Sequence, residues 1–266
     1  MTLFDLRINP IFAFNEHDPG MKLLVCISKT PETTAKVAFK DNGTMYDTAG
    51  VTFMLNPYDE WYALVRALEL KEKSGGTVTV INVGTTEDDV MIRKALAIGA
   101  DDAVRVDAAP RDAYFTASQI AAFARDKNFD LIFTGKETID YNGSMVGGMI
   151  AEMLDLPFIS YVSHLEIENG ITVVTRDIEG GVEISEVNLP MVCSAAKGLA
   201  EQRIPNMRGI MTSKTKPLSI IKRVEVSPMI QDVRYTLPPQ KSAVHMLQPD
   251  QMDELVRLLR EEAKVI

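Results

Sequence analysis

The sequence predicts an α/β protein with a Rossmann-like parallel sheet. Three observations point to it. Strand-length apolar runs alternate with stretches of helical spacing from Met21 to Leu154, glycines stand where strands turn into helices, and the alternation gives way to hairpin texture after Pro157.

Residues 22–28 (KLLVCIS) read as a buried strand, and residues 57–73 as a helix with Trp61, Leu64, Leu68 and Leu70 near one face. Asn56 followed by Pro57 makes a good helix start, as N-cap and first helical residue. Residues 77–83 follow as a strand, then a helix over 88–98 closed by Gly99. A strand over 103–106, a helix over 114–127, a strand over 130–134 and a helix over 144–154 complete the alternation, which implies a parallel sheet covered on both faces. The insertion 37–55 holds Asp41-Asn42-Gly43 between apolar alternations and predicts a hairpin.

Residues 165–194 read as antiparallel strands, with turns at Asn169-Gly170 and Gly180-Gly181. The stretch 203–250 holds Pro205, Pro217, Pro228, Pro238, Pro239 and Pro249, which opposes long regular elements and predicts an extended arm. The arm ends in an amphipathic helix over 250–264, whose apolar side must pack on a partner or on its own domain. The expected organisation is an extension over 1–20, non-native or disordered, ahead of a start at Met21, an α/β domain over 21–202, and the arm and helix over 203–266.

Composition narrows the function. A chain of 266 residues that is 46% apolar can bury a substantial core. A net charge of -9 argues against binding a phosphate backbone, which needs clustered Lys and Arg. Cys26 and Cys193 lie in apolar runs and read as reduced core thiols, with no metal-ligand spacing around the three histidines. No run approaches the roughly 20 apolar residues of a membrane helix, so a cytoplasmic protein is expected.

In an open parallel sheet, ligands bind beyond the carboxyl ends of strands, where strand order reverses. Three ends carry unusual residues: Cys26-Ile27-Ser28, Val83-Gly84, and the loop from Gly135 into the next helix. Asn142, Gly143 and Ser144 stand at that helix start, where free N–H groups and the positive end of the helix dipole make a phosphate cradle. Gly143, Gly147 and Gly148 equally suit a tight turn with close helix packing, and spacing alone leaves both readings open. Neither a P-loop, nor GxGxxG, nor a nucleophile beside a base is present, so the site reads as a holder.

Four stretches together resemble the beta subunit of electron-transfer flavoproteins (the Etf beta/FixA family) from about Met21 to Ile266. They are Leu23 to Pro31 (LLVCISKTP); Asn56 to Glu60 (NPYDE) with Arg93 to Asp101 (RKALAIGAD); the loop Gly135 to Gly147 (GKETIDYNGSMVG); and Val174 to Glu183 (VTRDIEGGVE) with Leu189-Pro190-Met191-Val192. The resemblance implies an adenine nucleotide alpha-hydrolase-like fold and an AMP site. Its residues would be Cys26; Asn56, Pro57, Tyr58 and Asp59; Val83; and Gly135, Lys136, Glu137, Thr138, Ile139, Asp140, Tyr141, Asn142, Gly143, Ser144, Met145 and Val146.

It further implies a heterodimer with an alpha subunit that holds most of an FAD, with Arg176 and Asp177 near the flavin. The chain would be an electron carrier subunit rather than an enzyme, meeting dehydrogenases and electron acceptors transiently. Residues 197–207 match the family's docking loop, with Leu199 as a potential anchor. Ser28 stands where the family has a basic residue, and the phosphate-loop pattern D-x-D-T-x-Q-x-G becomes Asp140 to Gly147 (DYNGSMVG). Two other expectations stand beside this one: an electron-bifurcating subunit with a second FAD in place of AMP, and a stand-alone adenine-nucleotide-binding protein.

Overall fold

The computed structural model describes residues 20–168, 170–241 and 244–266. The expected extension over 1–20 thus lies outside the described residues except for Gly20, as does Asn169 of the expected turn. The described chain forms two compact units. One comprises residues 20–37 and 48–232, the other residues 38–47 and 233–266.

The first unit is built on the strands β1 (Met21–Cys26) and β2 (Lys29–Pro31), while the second contributes β3 (Phe39–Lys40) and β4 (Met45–Tyr46). The first unit resumes with β5 (Phe53–Leu55), α1 (Asp59–Ser74), β6 (Gly76–Gly84), α2 (Asp89–Ile98) and β7 (Asp102–Asp107). Then come α3 (Ala113–Ala124), β8 (Leu131–Gly135), α4 (Val146–Leu154), β9 (Phe158–Glu168), β10 (Ile171–Ile178), β11 (Gly181–Val187) and β12 (Met191–Ala195). It closes with α5 (Met207–Ser213) and β13 (Leu218–Lys222).

Nine of these strands form one sheet in the order β11-β10-β9-β12-β8-β1-β6-β7-β13. Every pairing from β9 to β13 is parallel, and β10 and β11 add an antiparallel hairpin at one edge. The expected mixed sheet is therefore present. One element of it is corrected: residues 191–194 are not an antiparallel strand, because β12 runs parallel to both β8 and β9. All five residues of β12 are buried, the pattern of a strand covered on both faces rather than of a half-exposed hairpin.

Side chains alternate across β1. Leu23 and Val25 enter a core shared with α1 and α2, whereas Leu24 and Cys26 enter a second core with α3 and α4. Helix boundaries follow local chemistry. Gly99 ends α2 by donating its N–H to Ala95 O, and Asp112 caps α3 by accepting from Phe115 N–H at 2.7 Å.

The expected boundary at residue 202 falls inside this unit. Trp61 Nε1 donates to Arg203 O at 3.1 Å, and Arg93 donates to Ser213 O and Lys216 O at 2.7 and 2.6 Å. The buried Gln119 side chain bonds both backbone groups of Val224, donating to its O at 3.0 Å and accepting from its N–H at 2.7 Å. Asp112 also accepts from Met229 and Ile230 N–H. Proline density stops long elements here but leaves room for β13, a short edge strand on β7.

In the second unit, β3 and β4 pair antiparallel across the Asp41–Gly43 turn, as expected. The turn's Gly43 O accepts Tyr235 N–H at 2.7 Å, and the Phe39 ring stacks on Tyr235 at 5.2 Å. The terminal helix is α6 (Met252–Arg257), continued by a wider turn over Leu258–Glu262. Met252, Leu255 and Val256 are exposed. No helix among the described residues is long and apolar enough to cross a membrane.

Candidate functional site

Strand order reverses between β1 and β8. The connection from β1 to β6 passes through α1 on one face of the sheet, and that from β7 to β8 passes through α3 on the other. The rule for open parallel sheets assigns a ligand crevice to the place where these two strands end, at Cys26 to Ser28 and at Gly135.

From Gly135 the loop runs to α4. Asn142 and Ser144 both take left-handed backbone angles, φ 51° and 50°. Short polar side chains tolerate that region better than branched ones. Helix α4 starts at Val146 with no side-chain cap, and Met149 is the first of its residues to donate back, to Met145 O at 3.1 Å. The N–H groups of Val146, Gly147 and Gly148 thus have no acceptor within the helix. Together with the helix dipole they form a cradle with the chemistry for an anionic ligand. Tyr141 and Met145 are exposed beside it.

Gly147 has a packing role as well. A Cβ there would stand 2.7 Å from Thr134 Oγ1 and 2.9 Å from the Phe158 ring. One glycine of the three therefore answers to close packing. Gly143, with only Met145 Cε near it at 3.9 Å, sits in open space.

Asn56 is fully buried, and its side chain fastens the loop. Nδ2 donates to Glu137 O at 3.0 Å, and Oδ1 accepts from Ile139 N–H at 3.2 Å. The sequence reading of Asn56 as a helix cap is corrected: α1 begins at Asp59, after Tyr58 at φ 70°. A side chain committed to a loop in a different part of the chain cannot also cap the helix.

Two buried carboxylates stand at the start of α1, beside the ends of β1 and β8. Glu60 is buried, with Oε2 accepting from Ser28 N–H at 2.6 Å and Oε1 lying 2.5 Å from Ser28 Oγ. A Cβ on Gly135 would lie 2.8 Å from Glu60 Cγ, so this carboxylate arm packs on the end of β8. Burial pushes its pKa up to about 8, Ser28 opposes the rise, and Asp140 and Asp59 add to it. Asp59 is raised to about 6, mainly by burial, while Lys136 and the Glu137 backbone N–H hold it down.

Lys136 is paired with Glu137 at 3.3 Å and lies 5.8 Å from the Tyr161 ring centroid. Cys26 and Val83 are buried in the α3 and α4 core, next to the strand ends. Burial, with Glu60 nearby, pushes the Cys26 thiol above its usual range.

The structure brings the expected residues of β1, α1 and the β8 loop together. Arg176 lies farther out. It shares one lateral row of the sheet with Gly135, through Ala195 and Val162, three strands away. That places it roughly 14 Å along the same edge. Its partners are Glu183 at 2.9 Å and Ser160 Oγ at 3.1 Å rather than Asp177, which is exposed.

Leu199 requires a correction. It is 4% exposed within the α1 and α2 core and offers nothing to a docking partner, because the turn after β12 folds it inward. Ser28 was noted at a strand end without a role of its own, and Glu60 and Asn82 were not among the expected site residues. Asn82 donates to Ile27 O at 3.0 Å and is 2% exposed, and its Oδ1 has no partner among the described residues. Its signal was a polar residue inside the apolar run Thr77 to Val83; that of Glu60 was a carboxylate among buried positions of α1.

Fold and site define an α/β protein whose candidate ligand seat is an uncapped helix start at the reversal of strand order. The family model of the electron transfer flavoprotein domain matches residues 44–226, and the chain belongs to that family. It is 38% identical over 260 residues to the electron transfer flavoprotein subunit beta of Bacillus subtilis (strain 168), covering 92% of this chain and all of the relative. Against the electron transfer flavoprotein subunit beta of Syntrophomonas wolfei the identity is 35% over 226 residues, 84% of this chain and 88% of the relative. The caffeyl-CoA reductase-Etf complex subunit CarD of Acetobacterium woodii is 34% identical over 205 residues, 75% of this chain and 78% of the relative.

Proposed function

We propose that this chain is the nucleotide-bearing beta subunit of a heterodimeric electron carrier. It would hold AMP and cover an FAD bound mainly by an alpha subunit, within a complex that takes electrons from dehydrogenases and passes them to an acceptor. One observation carries the reading: the uncapped start of α4, fastened by Asn56 to the switch point between β1 and β8.

The residues present fit such a nucleotide. The phosphate would sit against the N–H groups of Val146 to Gly148, where the helix dipole favours an anion. The backbone at Cys26, Asn56 to Asp59 and Val83, and the loop from Gly135 to Met145, would enclose the nucleoside. The loss of the family's basic residue at Ser28 leaves the backbone N–H groups, with Lys136, as the source of positive potential. When bound, FAD supplies the one-electron exchange, and this chain contributes orientation and shielding from water. Arg176, on the same sheet edge, is the residue proposed to approach the flavin, with Asp177 beside it.

The test is the cofactor inventory of the co-expressed heterodimer after acid release. One FAD with one AMP supports the reading. Two flavins without AMP would replace AMP by a second FAD in the same seat and favour a bifurcating complex. A chain that remains monomeric and binds adenine nucleotide without flavin would make it a stand-alone nucleotide-binding protein.

A further inference from the structure

We propose that Glu60 is a positioning residue for the candidate nucleotide site and acts through Ser28, its protonation deciding whether the Ser28 hydroxyl offers a ligand a proton or a lone pair. The inference rests on the nucleotide reading above and concerns how that seat is regulated.

The geometry is that of a two-state relay. Ser28 follows the end of β1, half-buried at the crevice mouth, and both of its polar groups engage one buried carboxyl. The backbone N–H donates to Oε2 at 2.6 Å and remains a donor in either state. The 2.5 Å contact between Oε1 and Oγ can carry its hydrogen from either side. With Glu60 ionised, Ser28 Oγ–H donates inward and presents lone pairs to the crevice, which repel phosphate oxygens. With Glu60 protonated, the carboxyl O–H donates to Oγ, and the hydroxyl hydrogen is free to turn toward a ligand anion.

The surroundings decide which state is within reach. No cation pairs with Glu60 among the described residues: Lys29 goes to Asp88 and Glu87, and Lys136 to Glu137. Acting on it are Asp59 on α1 and Asp140 on the loop after β8, and its charge is felt by the Cys26 thiol on β1. The N-terminal end of α1 favours the anion, whereas burial and the two aspartates favour the acid. Burial is the largest influence, and with a pKa raised to about 8 the group titrates within the range where proteins work. A ligand anion adds negative charge to this cluster, so its binding favours protonated Glu60 and takes up a proton from solvent at higher pH.

The experiment is calorimetric titration of AMP into the full chain, co-purified with its partner and freed of nucleotide. It runs from pH 7.5 to 9 in buffers of differing ionisation heat. Over that range the phosphate, with its second pKa near 6, is already fully ionised. Proton uptake should rise toward one per AMP, and affinity should fall toward about tenfold per pH unit above the titration of Glu60. In Glu60→Gln the amide Nε2 donates to Oγ in place of the acid, so binding should be pH-independent and without proton uptake. Ser28→Ala should lose most of the pH dependence.

Wild-type binding without proton uptake would overturn the relay and leave the nucleotide site standing. So would a Glu60→Gln variant that keeps the wild-type pH profile. If the wild type binds no AMP at any pH, the nucleotide reading fails and this inference with it. Should Glu60→Gln not fold, Ser28→Ala still decides, because a Ser28→Ala variant that keeps the wild-type pH dependence would overturn the relay.

Discussion

Asn56 grips the β8 loop from both of its amide atoms, donating to Glu137 O at 3.0 Å and accepting from Ile139 N–H at 3.2 Å. The loop departs from β8 and Asn56 precedes α1, so this one buried amide sets the spacing between the two walls of the crevice. Asn56→Ala leaves two backbone groups without partners, at about 1–3 kcal/mol for each buried orphan. A lower midpoint in urea unfolding is expected, with weaker retention of nucleotide. Asn56→Asp, which turns a carboxylate onto Glu137 O in a buried site beside Asp59 and Glu60, should cost at least as much.

Gly147→Ala should destabilise the chain by about 1–3 kcal/mol, because the added methyl meets Thr134 and the Phe158 ring. Gly143→Ala, in open space, should cost far less. Thermal unfolding of both variants separates a packing glycine from a loop glycine. Equal losses would contradict the geometry.

The buried carboxylates give stability a pH dependence whose sign is fixed by the direction of their shifts. Glu60 and Asp59 are raised, so between about pH 4 and 8 the folded chain holds protons that the unfolded chain has released. Stability therefore falls as pH rises through that window, by at most about 1.4 kcal/mol per pH unit for each proton involved. Glu72, Asp112 and Glu166 are lowered and act oppositely, losing their contribution as pH falls through the acid range. The expected maximum thus lies on the acid side of neutrality, and Glu60→Gln should flatten the alkaline limb in denaturant titrations at several pH values.

Cys26 and Cys193 should resist thiol reagents in the folded protein, since both are buried and burial holds each thiol above its usual range. Labelling should proceed only at the rate of unfolding and reach two thiols in denaturant. Fast labelling of Cys26 in the native chain would show that the end of β1 opens to solvent.

The alternation of period-two and helical spacing was enough to anticipate β1, β6, β7 and β8 and the helices α1 to α4, because each is a local solution to burying one face; the short pair of β2 and β5 carries no such spacing. Hairpin turns such as Asp41-Asn42-Gly43 were legible for the same reason. β13 was not, since a short edge strand with mostly exposed or half-buried residues carries little hydrophobic pattern and owes its place to its neighbour β7. Nor was the parallel direction of β12, which depends on which strands lie beside it.

The candidate site divides in the same way. The glycine-containing helix start and the unusual strand ends are visible in the chain, and their meeting at a crevice follows from general rules for parallel sheets. The bond between Ser28 and Glu60, the grip of Asn56 on residues 137–139 and the inward turn of Leu199 all join residues through space, where no periodicity reports them. By itself, the sequence determined the main strands and helices up to α4 and marked the helix start proposed to seat a ligand, since these depend on local spacing and on backbone rules. Tertiary structure alone decided which buried polar groups face one another, and hence which carboxyl holds a proton, because desolvation and hydrogen bonding are properties of neighbours brought together by the fold.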